Sequence, residues 1–150
     1  MITMNSIILF TIGYTKRSAE SFFTVLKQAE AKLLIDIRLN NTSQLAGYTK
    51  KEDLAFFLKE ICSSDYVHLP EFAPSKDILD SYHSKNIDWQ MYESKFAELL
   101  ESRNPILRIK GLNIDHACLL CAEPKPDKCH RRLVANYIKR YYSEMQIQHL

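Results

Sequence analysis

Glycine is scarce in this chain, three residues in 150, and none of them sits in a Gly-x-Gly-x-x-Gly or Walker spacing. A standard nucleotide-binding loop is therefore not expected, since such loops need glycine for close backbone approach to phosphate. Long apolar runs are also missing. No segment reaches the roughly 20 residues that span a bilayer, and Met1 to Ser6 shows neither the basic stretch nor the cleavage site of a signal peptide. Charge of one sign is not in excess: 20 basic against 18 acidic residues give a net +2. Any nucleic-acid contact must then come from a local patch rather than from overall charge. Without export, the four cysteines, 62, 118, 121 and 129, are expected reduced, and a disulfide framework is not expected. Repeats, low-complexity tracts and linkers are absent. Residues 1–150 read as one cytoplasmic domain, long enough to bury about two-thirds of its unfolded surface, with no membrane segment and with its oligomeric state left open.

What is present gathers around one stretch. Ala117-Cys118-Leu119-Leu120-Cys121 is apolar throughout, which suits a strand covered on both faces. Pro124 and Pro126 end it. Asp127 is placed to cap a helix whose apolar residues Leu133, Val134, Tyr137, Ile138 and Tyr141 recur at three- and four-residue steps. Glu123, Cys121, Cys129, His130, Arg131 and Arg132 thus collect around a single strand-to-helix turn.

Along the chain, Ile7–Ile12 reads as a first strand ending at Gly13-Tyr14. Ser18 caps a helix that carries Phe22, Phe23, Leu26 and Ala29 on one face. Leu33–Ile37 is a second strand closing on Asp36 and Arg38. After a polar loop, Leu39–Tyr48, the pair Thr49 and Glu52 has capping-box spacing ahead of Leu54, Phe57, Leu58 and Ile61. Tyr66–Leu69 is a short third strand holding His68. Residues 71–85 read as a long loop with a single helical turn, and long loops in compact domains are often functional. Trp89, Tyr92, Phe96, Leu99 and Leu100 mark an amphipathic helix, the stretch 103–113 fits no single pattern, and Ile147–Leu150 forms a last edge strand. Alternating strands and helices imply right-handed crossovers and a three-layer, mainly parallel α/β sheet of Rossmann-like type.

In such a sheet, ligands bind beyond the carboxyl ends of the strands. Four segments place polar groups there: Gly13-Tyr14, Asp36 to Arg38, His68, and Cys121 to Glu123. Thr11-Ile12-Gly13-Tyr14, Asp36-Ile37-Arg38, Tyr66-Val67-His68-Leu69-Pro70 and Cys121-Ala122-Glu123 followed by Cys129-His130-Arg131 resemble, in order and spacing, the motifs of the domain of unknown function 488 family. In place of the proline many members carry after the second motif stand Leu39-Asn40-Asn41, and Glu71-Phe72 replaces a glycine pair after the third. The resemblance implies an α/β domain and brings no activity with it.

Chemistry must come from the residues. A helix N-terminus attracts anions through unpaired N–H groups and its dipole. His130, Arg131 and Arg38 strengthen that field, and arginine matches phosphate with two donors at once. The competing reading makes Arg38 the partner of Glu123 or Asp36 in a structural salt bridge. Glu123 and Asp36 suit general-base or nucleophilic work, Glu123 foremost because it faces the turn; alternatively each holds an arginine in place. Cys129 at a helix start suits an acidified thiol, against the ordinary fate of a small buried residue. The spacing of Cys121, Cys129 and His130 is wide for a zinc site, so neither metal nor cofactor is expected. Tyr14, Tyr48 and Tyr82 could each stack on a ring or seal a core edge.

The expected function is an enzyme acting on a phosphate-bearing small molecule, nucleotide or nucleic-acid component, with Gly13, Tyr14, Arg38, Cys121, Cys129, His130 and Arg131 around the anion and Glu123 or Asp36 as the reactive group. The alternative is a non-catalytic module binding a nucleotide or nucleic acid at the same turn. An enclosed pocket holding Glu123 favours the enzyme, and a shallow basic face with exposed aromatics favours the module.

Overall fold

A computed structural model describes residues 6–42, 47–123 and 125–150; Pro124 and part of the loop before Tyr48 lie outside these. The elements run β1 (Ile8–Gly13), α1 (Ala19–Gln28), β2 (Leu33–Asp36), α2 (Lys51–Phe57), β3 (Asp65–His68), α3 (Lys76–His83), α4 (Trp89–Arg103), β4 (Ala117–Cys121), α5 (His130–Lys139) and β5 (Gln146–His149). The strands form one five-stranded sheet in the order β3-β2-β4-β1-β5, and every pairing is parallel. In register, Gly13 lies opposite Cys121 and Asp36 opposite Leu120.

The three layers follow from the alternation of side chains along each strand. Leu9, Ala117, Leu119 and Cys121 point to one face, where Phe96 and Leu100 of α4 and Val134, Ala135 and Ile138 of α5 cover them. Phe10, Ile12, Cys118 and Leu120 point to the other, against Phe22, Phe23 and Leu26 of α1 and Leu54 of α2. The adjacent strands β1 and β4 therefore send the chain to opposite faces, which opens a crevice at their carboxyl ends. The three-layer parallel architecture is the one the apolar runs predict, with β4 central and β5 at an edge.

Local details differ from the sequence reading. Strand ends shift by about one residue, the usual uncertainty of an element boundary. Residues 71–85 are more ordered than a loop: α3 is a full helix capped by Ser75, whose Oγ accepts from the Ile78 N–H at 3.3 Å. It has no buried residue, and Ile78, Leu79 and Tyr82 are its few apolar positions, which a short stretch does not distinguish from a loop. Thr49 does not cap α2. It sits buried in a short 3-10 turn, its carbonyl accepting from Arg38 Nη2 at 2.7 Å, and Lys50 precedes the helix without a side-chain cap. Beyond α2 the chain continues as a π turn over Leu58–Cys62, which rotates Ile61 into solvent. Ser18 caps α1 as read, accepting from the Ser21 N–H at 3.1 Å. α5 starts two residues later than an Asp127 cap would allow. Cys129 is its N-cap, its sulfur accepting from the Arg131 N–H at 3.5 Å, and Tyr141 falls past the helix end, exposed.

Candidate functional site at the carboxyl edge of the sheet

Gly13 ends β1 where the loop after β4 crosses it. A methyl group added at Gly13 would overlap the Glu123 carbonyl and lie 2.7 Å from Arg131 Nη1. Glycine is required here for close approach. The Thr15 N–H, donating to the Ala122 carbonyl at 3.0 Å, ties the two loops together. The Tyr14 ring lies 5.3 Å from the Arg38 guanidinium, a cation–π contact.

At the end of β2, Asp36 is fully buried and receives a fork from Arg38, Nε to Oδ1 and Nη2 to Oδ2, both at 2.8 Å. The Tyr66 hydroxyl donates to Asp36 Oδ2 at 2.6 Å and accepts from Asn41 Nδ2 at 3.1 Å. His68 Nε2 donates to the Arg38 carbonyl at 2.8 Å. Burial works against the Arg38 charge, but its hydrogen bond to Asp36 and the carboxylate's charge outweigh that and raise its pKa. Burial, followed by the Asp36 hydrogen bond, pushes the Tyr66 phenol well up. The carboxylate and the guanidinium are thus engaged with each other, as in the salt-bridge reading, and Tyr66 and Asn41 complete the cluster. Tyr66→Phe is expected to destabilise the fold by about 2 kcal/mol, the usual worth of a hydrogen bond to a charged group. Urea unfolding measures it; a loss below about 0.5 kcal/mol would show that the hydroxyl adds nothing to the cluster.

Arg131, in the first turn of α5, points inward beneath the strand ends and is fully buried. Nη1 donates to the Glu123 carbonyl and to Cys121 Sγ at 3.2 Å, and Nε donates to Thr11 Oγ1 at 3.3 Å. Thr11 Oγ1 also meets His149 Nδ1 at 2.6 Å. One guanidinium therefore joins β1, β4, α5 and, through Thr11, β5.

Around it stand the two thiols, both buried. Burial alone would disfavour a thiolate at Cys121. The hydrogen bond from Cys129, the Arg131 charge and the Glu123 backbone N–H overcome it, so the Cys121 pKa falls. Donating that hydrogen bond, together with burial, holds the Cys129 thiol protonated. Cys118, on the opposite face, is pushed far up by burial, and Cys62 is raised for the same reason. His130 donates from Nε2 to the Ile37 carbonyl at 2.9 Å. Burial lowers its pKa to about 4, so the ring is neutral at pH 7. One donor atom from each of Cys121, Cys129 and His130 lies within 4.8 Å of the other two, which their spacing along the chain does not suggest.

Above this cluster α3 and α4 wall a recess of about 50 Å³ lined by Tyr82, Trp89, Tyr92, Glu123, Cys129 and His130, among others. It adjoins an outer cleft of about 510 Å³ that shares Tyr82, His83, Trp89 and Lys128 and adds Lys85 and Asp88. Trp89 and Tyr92 are stacked, 4.8 Å between ring centroids and 18° apart in plane, and the Tyr82 ring packs against both. Glu123 is exposed, and it faces this recess rather than either arginine's guanidinium fork.

Of the residues read from sequence, Cys121, Glu123, Cys129, His130 and Arg131 come together at the recess or directly under it. Gly13 supports them from below, and Asp36, Arg38 and Tyr14 form a separate ion-paired cluster beside them. Nothing in the sequence pattern marks Trp89, Tyr92 and Lys128 as functional. Trp89 reads as part of a core stripe, and only knowledge of α3 reveals that its outer edge forms a cleft wall. Tyr48 packs among Phe22 and Phe23 and donates to the Tyr14 and Arg17 carbonyls, a core-edge role.

Fold and site define a parallel α/β domain with a buried arginine–thiol centre under an aromatic-walled cleft. The family model described as domain of unknown function DUF488 matches residues 18–138, and the chain belongs to that family. Gly13 and Tyr14 precede the matched span. No curated protein and no solved structure matches the chain. Among the described residues, no helix is long and apolar enough to cross a membrane.

Proposed function

We propose that this protein is an enzyme acting on a phosphate-bearing small molecule or nucleotide bound in the cleft at the carboxyl edge of the sheet. The observation that carries the reading is the make-up of two adjoining cavities that share Tyr82, His83, Trp89 and Lys128: the outer cleft adds Lys85, and the recess adds the exposed Glu123 and the start of α5 at His130. The Trp89 and Tyr82 rings line the cleft, and stacking of a base on an aromatic ring is worth about 1–3 kcal/mol. Lys128 and Lys85 offer charge to phosphate, and α5 begins at His130 on the wall of the recess, adding the positive end of its dipole. Glu123 is the carboxylate that lines the recess, fit to act as general base or nucleophile, whereas Asp88 in the outer cleft caps α4, accepting from the Met91 N–H at 2.8 Å. Arg131 and Arg38 contribute by holding the loop and strand ends, not by contacting the ligand directly.

The second reading, a non-catalytic nucleotide or nucleic-acid module, is favoured by the outer cleft, where His83, Lys85 and Lys128 are exposed to solvent beside Tyr82 and Trp89. Glu123→Gln separates the two. The protein is screened by thermal shift against nucleotides and sugar phosphates, and hits are assayed for turnover. For a hit, Trp89→Ala and Lys128→Ala are each expected to weaken binding at least about tenfold. Glu123→Gln is expected to keep or tighten binding and to abolish turnover. Turnover that survives Glu123→Gln leaves only the module, and binding that survives both cleft substitutions removes the cleft from either reading.

A further inference from the structure

Cys129 and His130, which line the recess, and Cys121, buried beside them, have a property that phosphate binding does not use. Cys121 ends the central strand, Cys129 caps α5 and His130 opens that helix, and their donor atoms converge to within 4.8 Å. The imidazole is held in a defined state. A carbonyl oxygen can only accept, so the contact from His130 Nε2 to the Ile37 carbonyl at 2.9 Å places the ring proton on Nε2. In the neutral ring Nδ1 then carries a free lone pair. Donation of the second ring N–H to a backbone carbonyl is the arrangement that orients histidine ligands in metalloproteins. The sulfurs are supported in the same way: Arg131 Nη1 donates to Cys121 Sγ, and the Arg131 N–H donates to Cys129 Sγ. Such contacts stabilise negative charge on sulfur.

We infer that Cys121 Sγ, Cys129 Sγ and a ring nitrogen of His130 bind one zinc ion, with water completing a tetrahedron on the side of the recess. Two thiols and an imidazole suit zinc by softness and by count, and three protein ligands with an open fourth position is the pattern of reactive rather than purely structural zinc. Binding releases the two thiol protons to solvent and involves no change of oxidation state. Cys129 and His130 line the recess together with Glu123, so the open position is reached from the cleft, and Glu123 stands beside it without being a ligand. The zinc site is independent of what the cleft binds: failure of every phosphate ligand would leave it standing, and absence of zinc would leave the phosphate reading standing.

The test is titration of the reduced, metal-stripped full chain with cobalt(II), then with zinc. One equivalent of cobalt is expected to produce thiolate-to-cobalt charge-transfer absorption and the visible bands of a tetrahedral ion, both erased by one equivalent of zinc. Cys62→Ser is expected to leave the titration unchanged. Cys129→Ser and His130→Ala are each expected to weaken binding by more than about 100-fold, the upper end of what loss of an outer supporting contact costs. X-ray absorption on the wild-type zinc form needs no variant. It should show two sulfur neighbours at about 2.3 Å and two nitrogen or oxygen neighbours at about 2.0 Å. Absence of cobalt uptake by the fully reduced protein overturns the inference, as does a metal shell without sulfur.

Discussion

Gly13→Ala is expected to cost about 3 kcal/mol or more and to disrupt the site from beneath. The added methyl would overlap the Glu123 carbonyl and press on Arg131 Nη1. Neither can retreat cheaply. The carbonyl accepts from Arg131 Nη1, the adjoining Ala122 carbonyl accepts from the Thr15 N–H at 3.0 Å, and Gly13 is in register with Cys121 inside the sheet. Ordinary overpacking of a core costs about 1–3 kcal/mol, and here backbone rather than a flexible side chain must move. Chemical denaturation with circular dichroism reads the loss. A Gly13→Ala protein within about 0.5 kcal/mol of wild type would show that the loop after β4 yields freely, contrary to the packing described.

Arg131→Ala is expected to be comparably destructive, at about 3–5 kcal/mol, the range for removing one partner of a buried polar cluster. The Glu123 carbonyl, Cys121 Sγ and Thr11 Oγ1 would each lose a donor at once, and a cavity the size of an arginine side chain would open between β4 and α5. The thiol pair supplies a second reading of the same change. The Arg131 charge is one of the influences that lower the Cys121 pKa, so in whatever fraction of the variant remains folded that pKa should rise. Ultraviolet absorbance of the thiolate during a pH titration reports it. Arg131→Lys keeps the charge without the fork and should recover the thiol titration more than the stability. An Arg131→Ala protein as stable as wild type would show that the guanidinium does not organise the strand ends.

The sheet was legible because parallel buried strands announce themselves. Ile8–Gly13, Leu33–Asp36 and Ala117–Cys121 are apolar on both faces, and the intervening helices carry clear stripes. The convergence of four motifs on the carboxyl edge follows from that topology alone. What the pattern did not carry was the direction of individual side chains. Arg38 and Arg131 are read equally well as anion ligands or as internal ties. The choice depends on Asp36 being two residues from Arg38 on a strand end and on the Glu123 carbonyl folding back over Gly13, both of which are tertiary facts. Asp127 reads as the α5 cap because a sulfur seldom competes with a carboxylate in that place, yet Cys129, buried beside Arg131, takes it, its sulfur accepting from the Arg131 N–H. α3 is hard to read because it is short and carries few apolar residues, Ile78, Leu79 and Tyr82, all only partly buried. With α3 unseen, Trp89 could only be read as core. Of the cleft wall, the chain's pattern offers Tyr82 as a stacking ring and conceals Trp89 and Tyr92.

The central claim is that the aromatic-walled cleft at the carboxyl edge receives a phosphate-bearing ligand. The most direct test is a heteronuclear NMR titration of the labelled protein with nucleoside monophosphates and sugar phosphates, followed at the Trp89 indole N–H and the backbone of Lys85, Lys128 and His130. The chain's single tryptophan makes the indole resonance unambiguous. The account predicts saturable shifts at these positions with at least one ligand, absent in Lys128→Ala. Shifts confined to other surfaces, or none for any ligand in the series, would contradict it.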